Sequence, residues 1–380
     1  MPGRHAVRSE RTRHQSNPTM PRLLGAALVL LTGCLPAVAD LPPNPNEVND
    51  RWYDLKHGGK DRRYLVHTPS QWDGRQPLPV VLAFHGGGVN AETQRTQSGL
   101  NAKSDTHGFL VVYPDGTGPT VRKPGKRRVG VYTWNAGLCC GSAVQNRVDD
   151  VGFVRALLDD LPKHFAIDAT RVYATGMSNG SMMAHRIGVE LADRIAAIAP
   201  VAGSLMITDL NLRPSRPVPI MYFHGRKDPS AQFDGGPGRL DKTVHRSVPE
   251  TLTWWIHANS CVPQPVAVEQ HDDYVLRRFA PFPGRSSECL TFVLLPEGGH
   301  TWPGGVDVTA GMGTGALIES VDASEMMWRF FAQHRLDGRR DSEAPGPASL
   351  DVEPHAAQPA DNGANGSHRP AGKFLRFLQQ

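Results

Sequence analysis

The chain has 380 residues, 39% of them hydrophobic and 21% charged, with a formal net charge of +4. So mild a balance, with no Lys/Arg stripe interleaved with aromatics, argues against nucleic acid as a partner, and the basic run at 123–128 reads as a solvated loop among Pro and Gly.

At the N-terminus, Arg4, Arg8, Arg11, Arg13 and Arg22 stand against the single acid Glu10, and an apolar run at 23–31 follows. That run is shorter than the roughly 20 residues a bilayer span needs and suits the core of a secretory signal. Residues 1–39 are therefore read as a signal peptide, and the protein as extracellular or periplasmic. Two processing sites compete. Leu31-Thr32-Gly33-Cys34 has the form of a lipobox, which would leave Cys34 as a lipid anchor at the cell surface; Ala37-Val38-Ala39 is an ordinary cleavage site. From Asp337 onward Gly, Pro, Ala, Asp and Asn dominate without apolar periodicity, so 337–380 is predicted to be a disordered tail. The interval 45–336 is left for one α/β catalytic domain.

Five cysteines fall to four once Cys34 is removed or lipidated, and an even set in an exported protein predicts disulfides. Of the connectivities, Cys261–Cys289 with a vicinal Cys139–Cys140 pair is preferred, two free thiols at 139 and 140 being the alternative.

In chain order, 63–67 alternates as a part-exposed strand, and 79–84 (PVVLAF) is a continuous apolar run, as in a strand covered on both faces. A second such run, 109–113 (FLVVY), is stopped by Pro114-Asp115-Gly116. The segment 117–142 is read as a long loop over the site. Residues 148–164 place Val151, Val154, Leu157, Leu158 and Leu161 at helical spacing, with Asp149 and Asp150 suited to the positive helix start. A strand at 171–175 runs into a helix reaching about 191. Further apolar runs at 195–201, 219–223 and 291–295 predict strands, and a last helix at 322–335 gathers Met327, Phe330, Phe331 and His334 on one face. Alternating strands and helices predict a doubly wound, mainly parallel sheet with helices on both faces.

The chemistry sits at the strand ends. Gly176-Met177-Ser178-Asn179-Gly180 follows the run RVYAT and opens a helix, the frame of a nucleophile elbow, which makes Ser178 the candidate nucleophile. A serine hydroxyl needs a base, and the base needs an acid to fix its tautomer. Asp228, just beyond the strand at 219–223, is the candidate acid, with Asp234 as runner-up; His300, between glycines after the strand at 291–295, is the candidate base. His85 and His224 are read as structural histidines bonded to loop backbone. Backbone donors for a developing oxyanion are assigned to Gly87, in His85-Gly86-Gly87-Gly88, and to Asn179. Trp134 and Trp302, in Gly-flanked loops, are candidates for contact with substrate. No metal-ligand spacing and no phosphate-binding loop is present, so no cofactor or metal is expected.

Phe84-His85-Gly86-Gly87-Gly88, Trp134-Asn135-Ala136-Gly137 with Cys139-Cys140-Gly141, Val148 to Phe153, the serine elbow, and Gly298-Gly299-His300-Thr301-Trp302-Pro303-Gly304-Gly305 together resemble the poly(3-hydroxybutyrate) depolymerase-like esterases, which are close to feruloyl and acetylxylan esterases. The resemblance covers about 51–335. It implies a lidless α/β-hydrolase with a Ser–Asp–His triad, acting through an acyl-enzyme on hydroxyalkanoate polyester or oligomers, or on hydroxycinnamoyl or acetyl esters of plant polysaccharide, and it supports Ser178, Asp228 and His300. The sequence departs from the family where Asp228 is followed by Pro229-Ser230-Ala231-Gln232-Phe233 in place of a small residue and Val-Pro. A serine peptidase and a catalytically silent surface-binding protein are the competing readings. A monomer is expected.

Overall fold

The short apolar runs assemble into one ten-stranded sheet. In chain order the strands are β1 (Asp50–His57), β2 (Lys60–His67), β3 (Leu78–Phe84), β4 (Leu110–Pro114), β5 (Ile167–Met177), β6 (Ala197–Val201), β7 (Ile220–Gly225), β8 (Ala267–Gln270), β9 (Val275–Phe279) and β10 (Leu290–Leu295). The computed structural model describes residues 49–122, 128–239, 242–283, 290–308 and 311–338. The signal segment with Cys34, the core of the basic loop, Cys289 and nearly all of the expected tail lie outside the described residues.

Across the sheet the order is β1-β2-β4-β3-β5-β6-β7-β10-β9-β8. The central strands from β4 to β10 run parallel, while β1, β2, β9 and β8 pair antiparallel at the edges. This strand order, with helices on both faces, is the α/β-hydrolase arrangement expected from the sequence. Every residue of β3, β4, β6, β7 and β10 is buried, which explains why they read as unbroken apolar runs without alternation. Pro79, which has no N–H to give, sits where the β3–β5 register shifts.

Seven helices are described: α1 (Ala91–Ser98), α2 (Leu100–His107), α3 (Gly141–Gln145), α4 (Asp150–Asp160), α5 (Asn179–Glu190), α6 (Val248–Ala258) and α7 (Ala323–Phe331). Alternate strand residues face opposite layers. Val80, Leu82, Ala174, Ile198 and Tyr222 join a core with α4, α5 and α6; Val81, Ala83, Tyr173, Ala199 and Phe223 join a second core with α1, α2 and α7. In that second layer Phe331 stacks on Tyr173 at 4.7 Å and Trp328 on Phe109 at 4.1 Å. Each large side chain so buried contributes roughly 1.5–3 kcal/mol. The helix starts are fixed locally: Asp149 caps α4, Asp322 caps α7, and Ser247 with Glu250 forms a capping box on α6. Among the described residues no helix is long and apolar enough to cross a membrane.

Cys139 and Cys140, the vicinal pair the sequence reading preferred as a bridge, are in close contact in a small cluster with Ala136, Met182 and Met206. Cys261 is buried.

Candidate active site

Parallel register brings four loops to one edge of the sheet. Met177 of β5 pairs with Val201 of β6, Val201 with Phe223 of β7, and Gly225 of β7 with Leu295 of β10. The residues just beyond these strands, Ser178, Ala202, Asp228 and His300, therefore project from the same carboxyl edge, where ligands bind in open α/β sheets.

Ser178 adopts φ 58° and ψ −119°, a conformation L-residues rarely take, between the end of β5 and the start of α5. Its N–H donates to Val201 O at 3.0 Å and its carbonyl accepts from Met182 N at 3.0 Å. The flanking glycines are required by close backbone approach. A Cβ on Gly176 would lie 2.6 Å from both Phe84 O and Gly180 O, and one on Gly180 would fall on Phe84 O. The elbow is thus wedged against the end of β3. Ala202, also at positive φ (53°) and buried, supports the neighbouring loop; no sequence signal marks it, since alanine does not advertise a left-handed conformation.

Asp228 and His300 meet. His300 Nδ1 lies 2.7 Å from Asp228 Oδ2, with the carboxylate fully buried and the imidazole nearly so. The acceptor is a carboxylate, so Nδ1 carries the proton of this contact. The other oxygen, Oδ1, accepts the backbone N–H of Ser230 at 2.7 Å and of Ala231 at 2.8 Å. Burial alone would raise the Asp228 pKa; the charge and hydrogen bond of His300, with His224 and the Ala231 N–H, outweigh it and hold the carboxyl below its ordinary value. The loop bearing His300 is pinned by Gly299 N–H to Ala316 O at 2.9 Å, and a Cβ on Gly299 would lie 2.6 Å from the Gly315 backbone. Asp234 is instead paired with Arg226 at the surface, at 2.8 Å. Phe233, in the segment where the sequence departs from the family, is buried in the core beneath Arg226 rather than facing the site.

Behind Asp228 lies His224. His224 Nε2 donates to Ala231 O at 2.7 Å, its Nδ1 accepts from Tyr222 OH at 2.9 Å, and burial pushes its pKa below the ordinary histidine value. It holds the turn that supplies the Ala231 amide. His85 is also structural and buried: Gly116 N donates to its Nε2 at 2.9 Å, so Nδ1–H donates to Gly86 O at 2.7 Å, and burial lowers its pKa to about 4. Both assignments agree with the sequence reading.

The glycine loop after β3 lies against the elbow. A Cβ on Gly86 would be 3.7 Å from Ser178 Cβ, and one on Gly87 3.5 Å from Asn179 Cβ. Among the described residues the backbone N–H groups of Gly87 and Asn179 have no hydrogen-bond acceptor, whereas Gly88 N–H donates to Tyr132 O at 2.8 Å.

The two tryptophans expected to touch substrate do not offer it a face. Trp134 is 0% exposed, edge-on to Phe84 at 5.2 Å, with Nε1 donating to His85 O at 3.0 Å. Trp302 is 1% exposed and donates to Ser324 Oγ at 3.1 Å. Both indoles are enclosed because each finds a buried acceptor for its N–H, the condition under which Trp is admitted to a core. Asp149 caps α4, as expected at the helix start, and meets His57, while Asp150 forms a buried ion pair with Arg62 at 2.8 Å and accepts Asn135 N–H at 2.8 Å.

A family model described as Esterase PHB depolymerase matches residues 64–249. The chain is 30% identical over 272 residues to the protein named "Putative esterase NocK" of Nocardia uniformis subsp. tsuyamanensis, covering 65% of this chain and 72% of that one. It is 29% identical over 213 residues to Feruloyl esterase B of Piromyces equi, 54% of this chain but only 37% of that protein's length. Among solved structures, the acetyl xylan esterase from Aspergillus awamori aligns with a TM-score of 0.49 at 13% identity, over 66% of this chain and 94% of that one. With the serine elbow and the glycine loop inside the matched region, the chain belongs to the PHB depolymerase-like and feruloyl esterase-like family and is a carboxylic ester hydrolase.

Proposed function

We propose that this esterase works through an acyl-enzyme, with Ser178 as nucleophile, His300 as general base and Asp228 as the acid that orients and steadies the imidazole. The observation that carries the reading is the buried 2.7 Å contact from His300 Nδ1 to Asp228, on the sheet edge that also bears Ser178 at φ 58°. His300 Nε2 takes the Ser178 proton as Oγ attacks the ester carbonyl. The oxyanion that forms is stabilised by the N–H groups of Gly87 and Asn179. The oxyanion collapses to a carbonyl as the bond from its carbon to the ester's alkoxy oxygen breaks, the departing alkoxide takes the proton from His300, and water attacks the acyl-enzyme by the same route.

The substrate class follows the family: a hydroxyalkanoate polyester of the PHB type, or its oligomers. The feruloyl esterase match supports a second reading, a hydroxycinnamoyl or acetyl ester of plant polysaccharide. Export through the N-terminal signal, with or without a lipid at Cys34, accords with substrates too large to enter a cell. Ser178→Ala should abolish turnover of p-nitrophenyl butyrate while leaving the thermal melt nearly unchanged; retained turnover would remove Ser178 from the mechanism. Release of 3-hydroxybutyrate oligomers compared with release of ferulate from methyl ferulate separates the two substrates. Intact mass of the mature protein separates a diacylglyceryl Cys34 from a free Asp40.

A further inference from the structure

We infer that Trp134 is a positioning residue that braces both halves of the oxyanion hole at once, gripping the elbow through its peptide group and the glycine loop through its indole. The inference rests on the proposed roles of Gly87 and Asn179.

On the elbow side, the Asn179 side chain clasps one residue twice. Its Oδ1 accepts from Trp134 N at 2.7 Å and its Nδ2 donates to Trp134 O at 3.1 Å. That carbonyl also accepts Cys140 N–H at 3.0 Å, so the clasp is tied to the vicinal cysteine turn. Asn179 is 1% exposed, and an amide buried with both ends paired fixes its own main chain. The Ser178 carbonyl, which accepts from Met182 N, shares a peptide plane with Asn179 N–H. In a trans peptide the two point oppositely, so the amide is turned away from α5.

On the loop side, the Trp134 indole N–H donates to His85 O at 3.0 Å, and the His85 ring donates to Gly86 O at 2.7 Å. The Gly86 carbonyl and the Gly87 N–H are again the two ends of one peptide plane. Holding the carbonyl down on the histidine therefore aims the Gly87 N–H the other way. The brace itself is anchored. Its ring packs on Phe84 and lies 5.0 Å from the His85 ring, Arg62 approaches its face at 5.9 Å, and the next residue's N–H is held by Asp150. Glycines at 86–88 have no side chain to limit their backbone, so rigidity there must come from outside, and Trp134 supplies it.

The test is Trp134→Phe, which keeps an apolar ring but loses the indole N–H, and Asn179→Ala, which leaves the elbow amide in place but removes the clasp. Each should lower kcat on p-nitrophenyl butyrate about ten- to a hundredfold, less than the loss of a whole oxyanion donor. KM should stay near the wild-type value, and affinity for a trifluoromethyl ketone, which forms a tetrahedral oxyanion on Ser178, should fall by the same factor as kcat. A raised KM at unchanged kcat would show that Trp134 contacts substrate and overturn the inference. So would a lowered melting temperature with kcat and ketone affinity intact, which is what a purely structural tryptophan gives. If Trp134→Phe does not fold, Asn179→Ala alone decides by the same two readouts. Ser178→Ala, run alongside, keeps the readings apart: turnover by that variant overturns the nucleophile itself, whereas its inactivity with a full-rate Trp134→Phe overturns only the brace.

Discussion

Asp228→Asn changes the acid's charge and hydrogen-bonding pattern while keeping its size. Oδ1 of the carboxylate accepts the Ser230 and Ala231 amides at 2.7 and 2.8 Å, and Oδ2 accepts from His300 at 2.7 Å. Asparagine can keep its oxygen toward the two amides, which turns its NH2 group on His300 Nδ1. Two donors cannot share that contact, so the imidazole must move its proton to Nε2. In that tautomer Nε2 cannot accept the Ser178 proton. The equivalent change in serine triads costs about 10⁴ in kcat, which is about 5 kcal/mol of transition-state stabilisation at about 1.4 kcal/mol per decade. The stability cost should be smaller, about 1.5–3 kcal/mol for a hydrogen bond to a charged group, and is partly offset because a buried charge is removed. kcat with p-nitrophenyl butyrate, measured beside thermal melts, separates the two. A variant keeping more than about a tenth of wild-type kcat would refute the assignment. The melts of the two proteins also differ in their pH dependence. The folded pKa of Asp228 lies below its unfolded value of about 3.9, so its contribution is complete above that pH and is lost as pH falls through the folded value. The wild-type and Asn melts should draw together only below about pH 4.

Gly180→Ala should lower both melting temperature and kcat, although alanine is the better helix former. The added Cβ falls on Phe84 O and lies 2.6 Å from His85 O, so either the elbow or the glycine loop must shift, at about 1–3 kcal/mol or more. An unchanged melt with full activity would overturn the close packing. Glu325 in the first turn of α7 faces His107 at 3.0 Å, Arg329 at 2.9 Å and Lys103 at 3.4 Å; burial pushes its pKa up, but these partners bring it to about 2. Glu325→Gln should therefore be less stable than wild type at neutral pH, with the gap closing as pH falls from about 4.3. Denaturant unfolding at pH 7 and near pH 2 checks this, and a gap that does not change with pH would rule the pairing out as its source.

The alternation of strands and helices, the elbow and the glycine loop were legible in the residues because each is a local rule. A strand covered on both faces must be apolar throughout, as β3 and β10 are, and a strand-to-helix turn squeezed against a neighbouring strand must carry glycines at 176 and 180. Charged or weakly apolar elements were not legible. The edge strands β1 and β8, the strand β9 beside β8 and the polar helices α1 and α2 are rich in polar and charged residues, and no continuous apolar run or apolar stripe marks them. The helix α6 also went unread, although the Ser247–Glu250 capping box stands in the sequence.

By itself the sequence determined the fold class, the chain order of serine, aspartate and histidine, and the structural character of His85 and His224. Only tertiary structure decided where Trp134 and Trp302 point. A tryptophan between glycines in a loop looks available to substrate. Whether it is depends on an acceptor for its N–H, and those acceptors, His85 O and Ser324 Oγ, lie 49 and 22 residues away in the chain. The same is true of the clasp between Asn179 and the Trp134 peptide, across 45 residues. Chemistry that depends on a residue's type and its immediate neighbours can be read along the chain; chemistry that depends on which buried donor meets which acceptor exists only once the chain has folded.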